Sequence, residues 1–458
     1  MERTGVKDLP GKVGEKVCIK GWVDAVREHG KVSFLEIRDI GGTVQTVVTA
    51  GNVESFAKLS DVSKEACVEV IGEVKIRPEG TENKKSVAGG VEIKIDELNI
   101  LNTCPALPFD LKNENTNEDI RLKYRYLDLR RPELQKPLLL RGQIIQKIRE
   151  YLYSRGFTEF ETPILAKSTP EGARDYIVPA RRQPGKFYAL PQSPQLFKQL
   201  LMVGGLEKYF QIARCFRDED LRSDRQPEFT QLDAEMSFAN EEDIYSVVEG
   251  TLKHVLKEVF DVDVKIPFGR IPYKESMDKY KSDKPDLREE TGEEYAFTWI
   301  TNFPLFNYSE EEKRYVAAHH PFCMPQNIGD LDKDPLSVLG KTYDLVLNGT
   351  ELLSGSVRIH IPEIQRKVFD LLQISREEQD EKFGFFLDSF KYGAPPHAGF
   401  AIGLDRLVQK FVGADSIREV IAFPKNKEAK DLMLNAPSNI SEQQLKDVHI
   451  KLDLPKKE

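Results

Sequence analysis

The chain has 458 residues, 40% apolar and 31% charged, and its 66 basic and 75 acidic side chains leave a net charge of −9. That length predicts two or three domains with ample core, and the charge balance marks no general nucleic-acid binder, although a local basic face would suffice for one. No apolar run approaches the ~18 residues of a membrane span, the opening MERTGVKDLP is too polar for a signal peptide, and five scattered cysteines without a Cys-x-x-Cys pair predict reduced thiols, no structural zinc and a cytoplasmic location.

Residues 1–104 read as all-β. Val17 to Val26, Val32 to Asp39, Val44 to Ala50, Ala66 to Ile76 and Val91 to Leu101 are β-rich runs, with a short helical pattern at Val53 to Asp61. Five strands with a helix between the third and fourth predict a Greek-key barrel of the oligonucleotide-binding (OB) type. Arg77 to Asn83 reads as a long turn near the fourth strand. Phe34 and Gln45 fall on neighbouring strands, and an aromatic beside an amide is how such barrels stack and read unpaired bases. Periodicity alone makes Phe34 a core residue first.

Thr103 to Asp119, with two prolines and an Asn-rich run, reads as a linker. The expected division is a barrel at 1–104, a hinge at 105–123, a second domain at 124–430 and a C-terminal extension at 431–458. Glu133 to Ser154 is one long helix with Leu134, Leu138, Ile145, Ile148 and Leu152 at helical spacing, closed by Gly156. Its broad apolar face suits either a core or a dimer interface. Strands are expected at Phe157 to Leu165, Phe187 to Leu190, Lys208 to Phe216, Phe229 to Glu235, Phe297 to Phe306, Tyr343 to Leu347 and Gly355 to Ile361, and a short strand or turn at Ala398 to Ile402. Helices are expected at Ser193 to Leu201, Glu241 to Phe260, Lys274 to Asp286, Pro362 to Leu372, Arg376 to Tyr392 and from Leu404. A charged loop at Ser168 to Tyr176 and an acidic connector at Arg288 to Tyr295 complete a multidomain α+β chain.

The most informative stretch is Phe216 to Glu235, FRDEDLRSDRQPEFTQLDAE. Two strands joined by a long Arg-rich loop make a hairpin that could grip a polyanion. Arg217 could clamp a phosphate bidentately and Glu219 could hold an amine; the plain alternative is a solvated surface hairpin. Gly340-Lys341-Thr342 imitates the end of a P-loop, but Pro335 stands where the first glycine should be, so it is set aside. Gly399 and Gly403 would let backbone approach a ligand, and Arg406, one turn into a helix, would bracket a triphosphate together with Arg217. Asp344 and Glu351, on either side of Asn348-Gly349, suit Mg²⁺ shared with substrate phosphates.

These runs resemble a known family. Phe216 to Glu219 with Arg225 to Asp233 resembles motif 2 of the class II aminoacyl-tRNA synthetases. Gly403-Leu404-Asp405-Arg406 is similar to motif 3, and the 133–154 helix with Gly156-Phe157 and Pro163 to motif 1, the dimer-forming element. The resemblance is closest to bacterial-type aspartyl-tRNA synthetases, through Arg125 to Pro132, Ser168 to Tyr176, Gln192 to Leu201, His319-His320-Pro321-Phe322 and Gly355 to His360, and it spans nearly the whole chain. It implies an antiparallel catalytic sheet flanked by helices, a homodimer, ATP with Mg²⁺, L-aspartate, tRNA-Asp and no membrane.

It also implies roles. Arg217, Glu219 and Arg406 would be catalytic. Lys198 and Arg358 would hold the aspartate side chain, with Asp233 orienting Lys198. Ser193, Gln195 and Glu171 would meet the ammonium end, and His319 and His320 would lie at the amino-acid site. Arg217 would contact the α-phosphate and the substrate carboxylate, and Glu219 and Gln226 the adenine region. Asp218, Glu351, Gly403, Leu404, Asp405 and Arg406 would complete the ATP set. Arg27, His29, Phe34, Gln45, Arg77, Gly80 and Asn83 would face the anticodon.

Three departures stand out. The large inserted domain that bacterial-type members carry after Asp286-Leu287-Arg288 is absent. Leu353 and Ser354 replace usual glycines. The loops around His29 and Gly80 look like those of relaxed members that charge both tRNA-Asp and tRNA-Asn. Strict tRNA-Asp specificity, an asparaginyl-tRNA synthetase and an inactive tRNA-binding paralogue are the alternatives, and Lys198 with Arg358 argues against the second.

Overall fold

The structure is a computed structural model that describes residues 1–168, 173–221 and 224–454. It divides into two compact units, Met1–Asp110 and Leu111–Glu458. In the first unit, β1 (Lys16–His29), β2 (Val32–Asp39), β3 (Gly42–Thr49), β4 (Cys67–Ile76) and β5 (Val91–Asn102) close a barrel in the order β1-β2-β3-β5-β4. A helix at Val53–Ala57 and a 3₁₀ turn at Lys58–Asp61 lie between β3 and β4, as expected. Leu35, Ile37, Val44, Val48, Val68, Val70 and Val74 fill the interior. Phe34 is not among them. It shares strand parity with Glu36, opposite to Leu35 and Ile37, and so stands half-exposed on the outer face.

The second unit contains β6 (Thr158–Glu159), β7 (Ile177–Pro179), β8 (Phe187–Ala189), β9 (Lys208–Phe216), β10 (Glu228–Ser237), β11 (Gly269–Pro272), β12 (Phe297–Thr301), β13 (Phe306–Ser309), β14 (Arg314–Ala317), β15 (Thr342–Leu347), β16 (Thr350–Val357) and β17 (His397–Gly403). Eight of them form one sheet in the order β11-β12-β15-β16-β17-β10-β9-β6. It is antiparallel except at its two edges, where β11/β12 and β6/β9 run parallel.

Period-two alternation gives the central strands two chemically distinct faces. Leu232, Ala234 and Met236 on β10, Phe400 and Ile402 on β17, Leu353 and Val357 on β16, and Tyr343 and Leu345 on β15 enter the main apolar core. The helices Pro132–Ser154 and Glu241–Phe260 contribute Ile144, Ile148, Leu152, Ile244, Val248 and Leu252 to the same core. The opposite parity is polar. Asp233 pairs with Ala401, Ala401 with Ser354, and Ser354 with Asp344, so one row of side chains crosses four strands.

Several expected elements move. Of the strand at 157–165 only Thr158–Glu159 pairs, because Pro163 cannot donate to a ladder. The helix expected at 274–286 is Tyr273–Tyr280, ended by Lys281 in the left-handed region at φ 56°. The acidic connector contains a helical turn, Arg288–Thr291. The strand from Phe297 stops at Thr301, where Asn302 has φ 59°, and the helix expected at 193–201 begins after Pro194, at Gln195–Val203. The strand expected at 355–361 is β16. Asn348 and Gly349 both have positive φ, 50° and 77°, so their two-residue turn starts β16 at once.

Gly399 is expected to be irreplaceable. A Cβ there would stand 1.9 Å from Glu235 Oε2 and 2.3 Å from the Ala234 carbonyl oxygen. Gly399→Ala should destabilise the second unit by about 1–3 kcal/mol, read as a lower urea midpoint at unchanged slope.

Candidate active site

The polar face of the sheet floors a cleft of about 790 Å³ in the second unit, a size suited to a nucleotide-scale ligand. At one end four charged side chains are almost wholly buried: Lys198, Asp233, Glu235 and Arg358, each no more than 1% exposed. The helix Gln195–Val203 lowers Lys198 onto β10, where its Nζ meets Asp233 Oδ2 at 2.7 Å and Glu235 Oε2 at 3.3 Å. Arg358 donates from Nε and Nη2 to the two oxygens of Glu235, at 2.9 and 3.2 Å. Its Nη1 reaches Ser356 Oγ at 2.7 Å and His320 Nε2 at 2.6 Å. Glu235 therefore sits between the two cations and holds them apart.

Their environments drive the two carboxylic acids in opposite directions. Burial opposes the charge of Glu235, but Arg358 and Lys198 outweigh it and hold the group below its ordinary value. Burial pushes Asp233 up to about 6 against the pull of Lys198. Burial, with Arg358 beside it, keeps His320 well below its usual range, so its ring is neutral and accepts from the guanidinium. For His319 burial works against the charge and Asp344 overrides it, raising the histidine. Burial also raises Asp344, opposed by His319. His319 Nε2 and Asp344 Oδ1 lie 3.1 Å apart, within hydrogen-bond distance. Two buried donor-capable atoms of the lining, Gln195 Nε2 and His319 Nδ1, have no hydrogen-bond partner among the described residues, the arrangement expected of atoms that meet a ligand.

The other end of the cleft is lined by a ring of shared charges. The Arg217 guanidinium lies 5.0 Å from the centre of the Phe229 ring and, among the described residues, has no acidic partner. Arg225 donates to Glu219 at 2.9 Å. Arg406 donates to the Glu351 carbonyl at 2.8 Å and lies 3.4 Å from Asp224. Lys284 pairs with the Glu351 carboxylate at 2.7 Å.

Arg217, Glu219, Arg406, Ser193, Gln195, Lys198, Asp233, His319, His320, Arg358, Gln226, Asp344, Glu351, Gly403 and Asp405 all line this one cleft. Others lie off the lining or have their side chains engaged elsewhere in the protein. Asp218 pairs with Arg174 at 3.7 Å, away from the lining, and the Leu404 side chain is wholly buried in the apolar core. Gln226 has its amide committed to Lys425, accepting from the backbone N–H at 2.8 Å and donating to the carbonyl at 3.0 Å. Asp405 is likewise engaged, by Arg141 at 2.5 Å and the Thr230 N–H at 2.9 Å, and braces β10. The missing Cβ of Gly399 makes room for Glu235 rather than for a ligand. Glu171 lies outside the described residues. Glu235 and Lys284 were missed: one looked like the end of a strand, the other like part of a helix. Strand parity with Asp233 was the available signal for Glu235.

Asp344 and Glu351 face the cleft from neighbouring strands, Asp344 beside the His319 ring and Glu351 paired with Lys284. Among the described residues no three His, Cys, Asp or Glu side chains form a metal cage. Two hard carboxylates beside space for phosphate oxygens fit a magnesium ion that arrives with a nucleotide.

On the barrel, the strand pairs Arg27–Phe34 and Glu36–Gln45 put these side chains on one outer face. The His29 ring packs edge-on against Phe34 at 5.9 Å. Gln45 accepts from Arg77 at 3.2 Å and donates to Glu92 at 2.8 Å, which fixes its amide. Gly80 takes φ 81°, and Asn83 Oδ1 accepts from the Lys85 N–H at 3.1 Å within the same connection.

Residues 117–427 match the family described as tRNA synthetases class II (D, K and N), and residues 17–101 match the OB-fold nucleic acid binding domain. The chain is 42% identical to the aspartate–tRNA(Asp/Asn) ligase of Dictyoglomus turgidum, across 97% of this chain and 96% of that protein. It is 40% identical to the aspartate–tRNA ligase of Ruminiclostridium cellulolyticum, across 96% of each. The first alignment runs over 571 positions, against 458 residues in this chain, so that relative holds sequence with no counterpart here. Asparaginyl-tRNA synthetase from Pyrococcus horikoshii, solved with asparaginyl-adenylate, superposes with a TM-score of 0.77 at 25% identity, covering 93% of this chain and 98% of that one. A putative aspartyl-tRNA synthetase from Leishmania major Friedlin shares the fold with a TM-score of 0.78 at 21% identity, covering 93% and 94%.

Within the buried network Asp233 makes stability depend on pH in a definite direction. Protonated Asp233 contributes stability that is fully present below its unfolded value and is lost as pH rises through about 6. Relative to Asp233→Asn, the natural chain should lose ~2–3 kcal/mol between about pH 4 and pH 6 and then level off, as read by urea unfolding across that range.

Proposed function

The chain belongs to the class II tRNA synthetases of the aspartate, lysine and asparagine group, and from that premise we propose that it is an aspartate–tRNA ligase. The observation that carries this reading is the pair of buried cations, Lys198 and Arg358, at the closed end of the cleft. Arg358 Nη2 gives one of its two protons to Glu235 and keeps the other for a ligand. A ligand carboxylate, a third acid beside Asp233 and Glu235, would bond these cations through charge-assisted hydrogen bonds, which are stronger than those a neutral amide makes. The names of the similar proteins, aspartate–tRNA(Asp/Asn) ligase among them, support the same choice.

The implied reaction has two steps. An α-carboxylate oxygen of aspartate attacks the α-phosphorus of ATP, the bond to the β-phosphate oxygen breaks, and pyrophosphate leaves. A hydroxyl of the terminal adenosine of tRNA then attacks the acyl carbon of the adenylate, and AMP leaves. Lys198 and Arg358 fix the side-chain carboxylate, and Gln195 and Ser193 bound the ammonium end. Arg217, steadied on Phe229, meets the charge that spreads over the α-phosphate. A magnesium ion, with Asp344 and Glu351 as its protein ligands, would supply further charge neutralisation at the phosphates. Positioning and electrostatics account for both steps without a covalent intermediate on the protein.

The barrel face around Phe34, Gln45 and Arg77 is assigned to the anticodon, and tRNA-Asn is included as an acceptor beside tRNA-Asp. The half-exposed Phe34 and its neighbour His29 support base stacking there. The homodimer is assigned to the helix Pro132–Ser154, whose Leu139 and Tyr153 are about half-exposed. The five free cysteines support a reducing, cytoplasmic compartment.

Charging of purified tRNA-Asp and tRNA-Asn transcripts with labelled aspartate tests this reading. Comparable rates on both are expected; charging of tRNA-Asp alone removes tRNA-Asn from the proposal, and charging of neither removes the ligase. Arg358→Lys keeps the charge but loses the fork onto Glu235. It should lower kcat/KM for aspartate by about 100-fold, or ~3 kcal/mol, in aspartate-dependent exchange of pyrophosphate into ATP.

A further inference from the structure

We propose that Lys284 is a phosphate-binding residue of the cleft, a cation that Glu351 holds at the wall and that the polyphosphate of ATP takes over. The inference rests on the ATP-dependent reading above and adds a residue to it.

The first support is the way the backbone presents this lysine. The helix Tyr273–Tyr280 is cut off by the left-handed Lys281, and the residues after it are tied down rather than loose. The wholly buried Ser276 donates from Oγ to the Ser282 carbonyl at 2.7 Å, and Ser282 Oγ accepts from the Lys284 N–H at 3.0 Å. Pro285 comes next, with its fixed φ. Asp286 takes the Arg288 guanidinium through both oxygens, at 3.0 and 2.6 Å. The segment also rests on the β15–β16 turn. A Cβ on Gly349 would lie 3.4 Å from Asp286 Cβ and 3.9 Å from the Lys284 carbonyl oxygen. A braced backbone thus delivers a long, flexible side chain into the cleft.

The second support is the charge around it. Glu351 lies 2.7 Å away, and the fields of Asp283 and Asp344 also act on the ammonium. The Lys284 and Glu351 side chains are 41% and 28% exposed, so the pair is worth little as a structural brace. Arg406 meanwhile holds the Glu351 backbone carbonyl at 2.8 Å. Glu351 is thus contacted by two cations, one through its backbone and one through its carboxylate. A triphosphate needs cations on more than one side. Arg217 is open, whereas Arg225 and Arg406 are shared with Glu219 and Asp224. An ammonium is a compact charge with three rotatable donors, suited to following a phosphate chain. Its transfer to phosphate also releases the Glu351 carboxylate for the ion that accompanies the nucleotide.

The test uses the full-length chain with Lys284→Met and Lys284→Arg. Two quantities are read: KM values in aspartate-dependent pyrophosphate exchange, and ATP affinity by calorimetry in EDTA. For Lys284→Met, KM for ATP should rise about tenfold and the metal-free Kd should weaken equally, about 1.4 kcal/mol. KM for aspartate should stay within about twofold, and Lys284→Arg should recover most of the loss. Unchanged ATP parameters, or equal shifts for ATP and aspartate, overturn the proposal, as does a variant that fails to fold, which would make the pair structural. A natural chain that catalyses no exchange would instead remove the ligase reading, and calorimetry would still decide whether Lys284 binds ATP.

Discussion

Glu235 lies at the centre of the buried charge on which the candidate site depends. Two cations and two acids lie out of water within one cluster, and each alone would carry a large desolvation cost. The fork of Arg358 onto Glu235 and the contacts of Lys198 with Asp233 and Glu235 offset that cost. Remove the acid between the cations and they repel one another in a medium with little screening. The arrangement also constrains the backbone, because Glu235 occupies the volume that a side chain at position 399 would need. A glycine on β17 is therefore part of the electrostatics of β10.

This cluster can exist because the sheet is two-faced. Alternate residues of β10, β15, β16 and β17 supply the apolar core, and the residues between them supply polar groups to a common floor. Burying one face against the helices fixes the register, since a slip of one residue would exchange every charge for an aliphatic side chain. Asp405 adds a second lock. Its carboxylate joins Arg141 of the long helix to the Thr230 N–H of β10, at the start of the helix that carries Arg406. The side chains that floor the cleft and those that rim it thus share one frame.

Much of this was legible in the sequence, for reasons that differ by element. The barrel strands announce themselves by alternation, and the helix Glu241–Phe260 by its apolar spacing. Motif resemblance brought the cleft-lining residues together, although they come from separate parts of the chain. What stayed hidden needed tertiary information. The polar run 274–286 looks helical until Lys281 turns left-handed, and that break exposes Lys284. Phe34 reads as core until its parity is set against Leu35 and Ile37. The partner of Gln226 lies 199 positions away along the chain, at Lys425, beyond the reach of any local pattern.

The charges at the two ends of the cleft behave differently, and burial is the cause of the difference. At the closed end the ion pairs are dry and geometrically fixed, so a ligand must fit the donors that remain. At the other end the pairs are partly exposed: Lys284 with Glu351, Arg225 with Glu219, Arg406 with Asp224. Wet pairs are weak and exchangeable. In the proposed function a highly charged polyphosphate takes cations from such carboxylates at small cost, and of the carboxylates released Glu351 is the one assigned to a divalent ion. In the proposed function, discrimination between carboxylate and amide falls to the rigid end, where a misplaced partner cannot be accommodated by rearrangement. Capture and release of phosphates fall to the wet end, where partners change without dismantling the core.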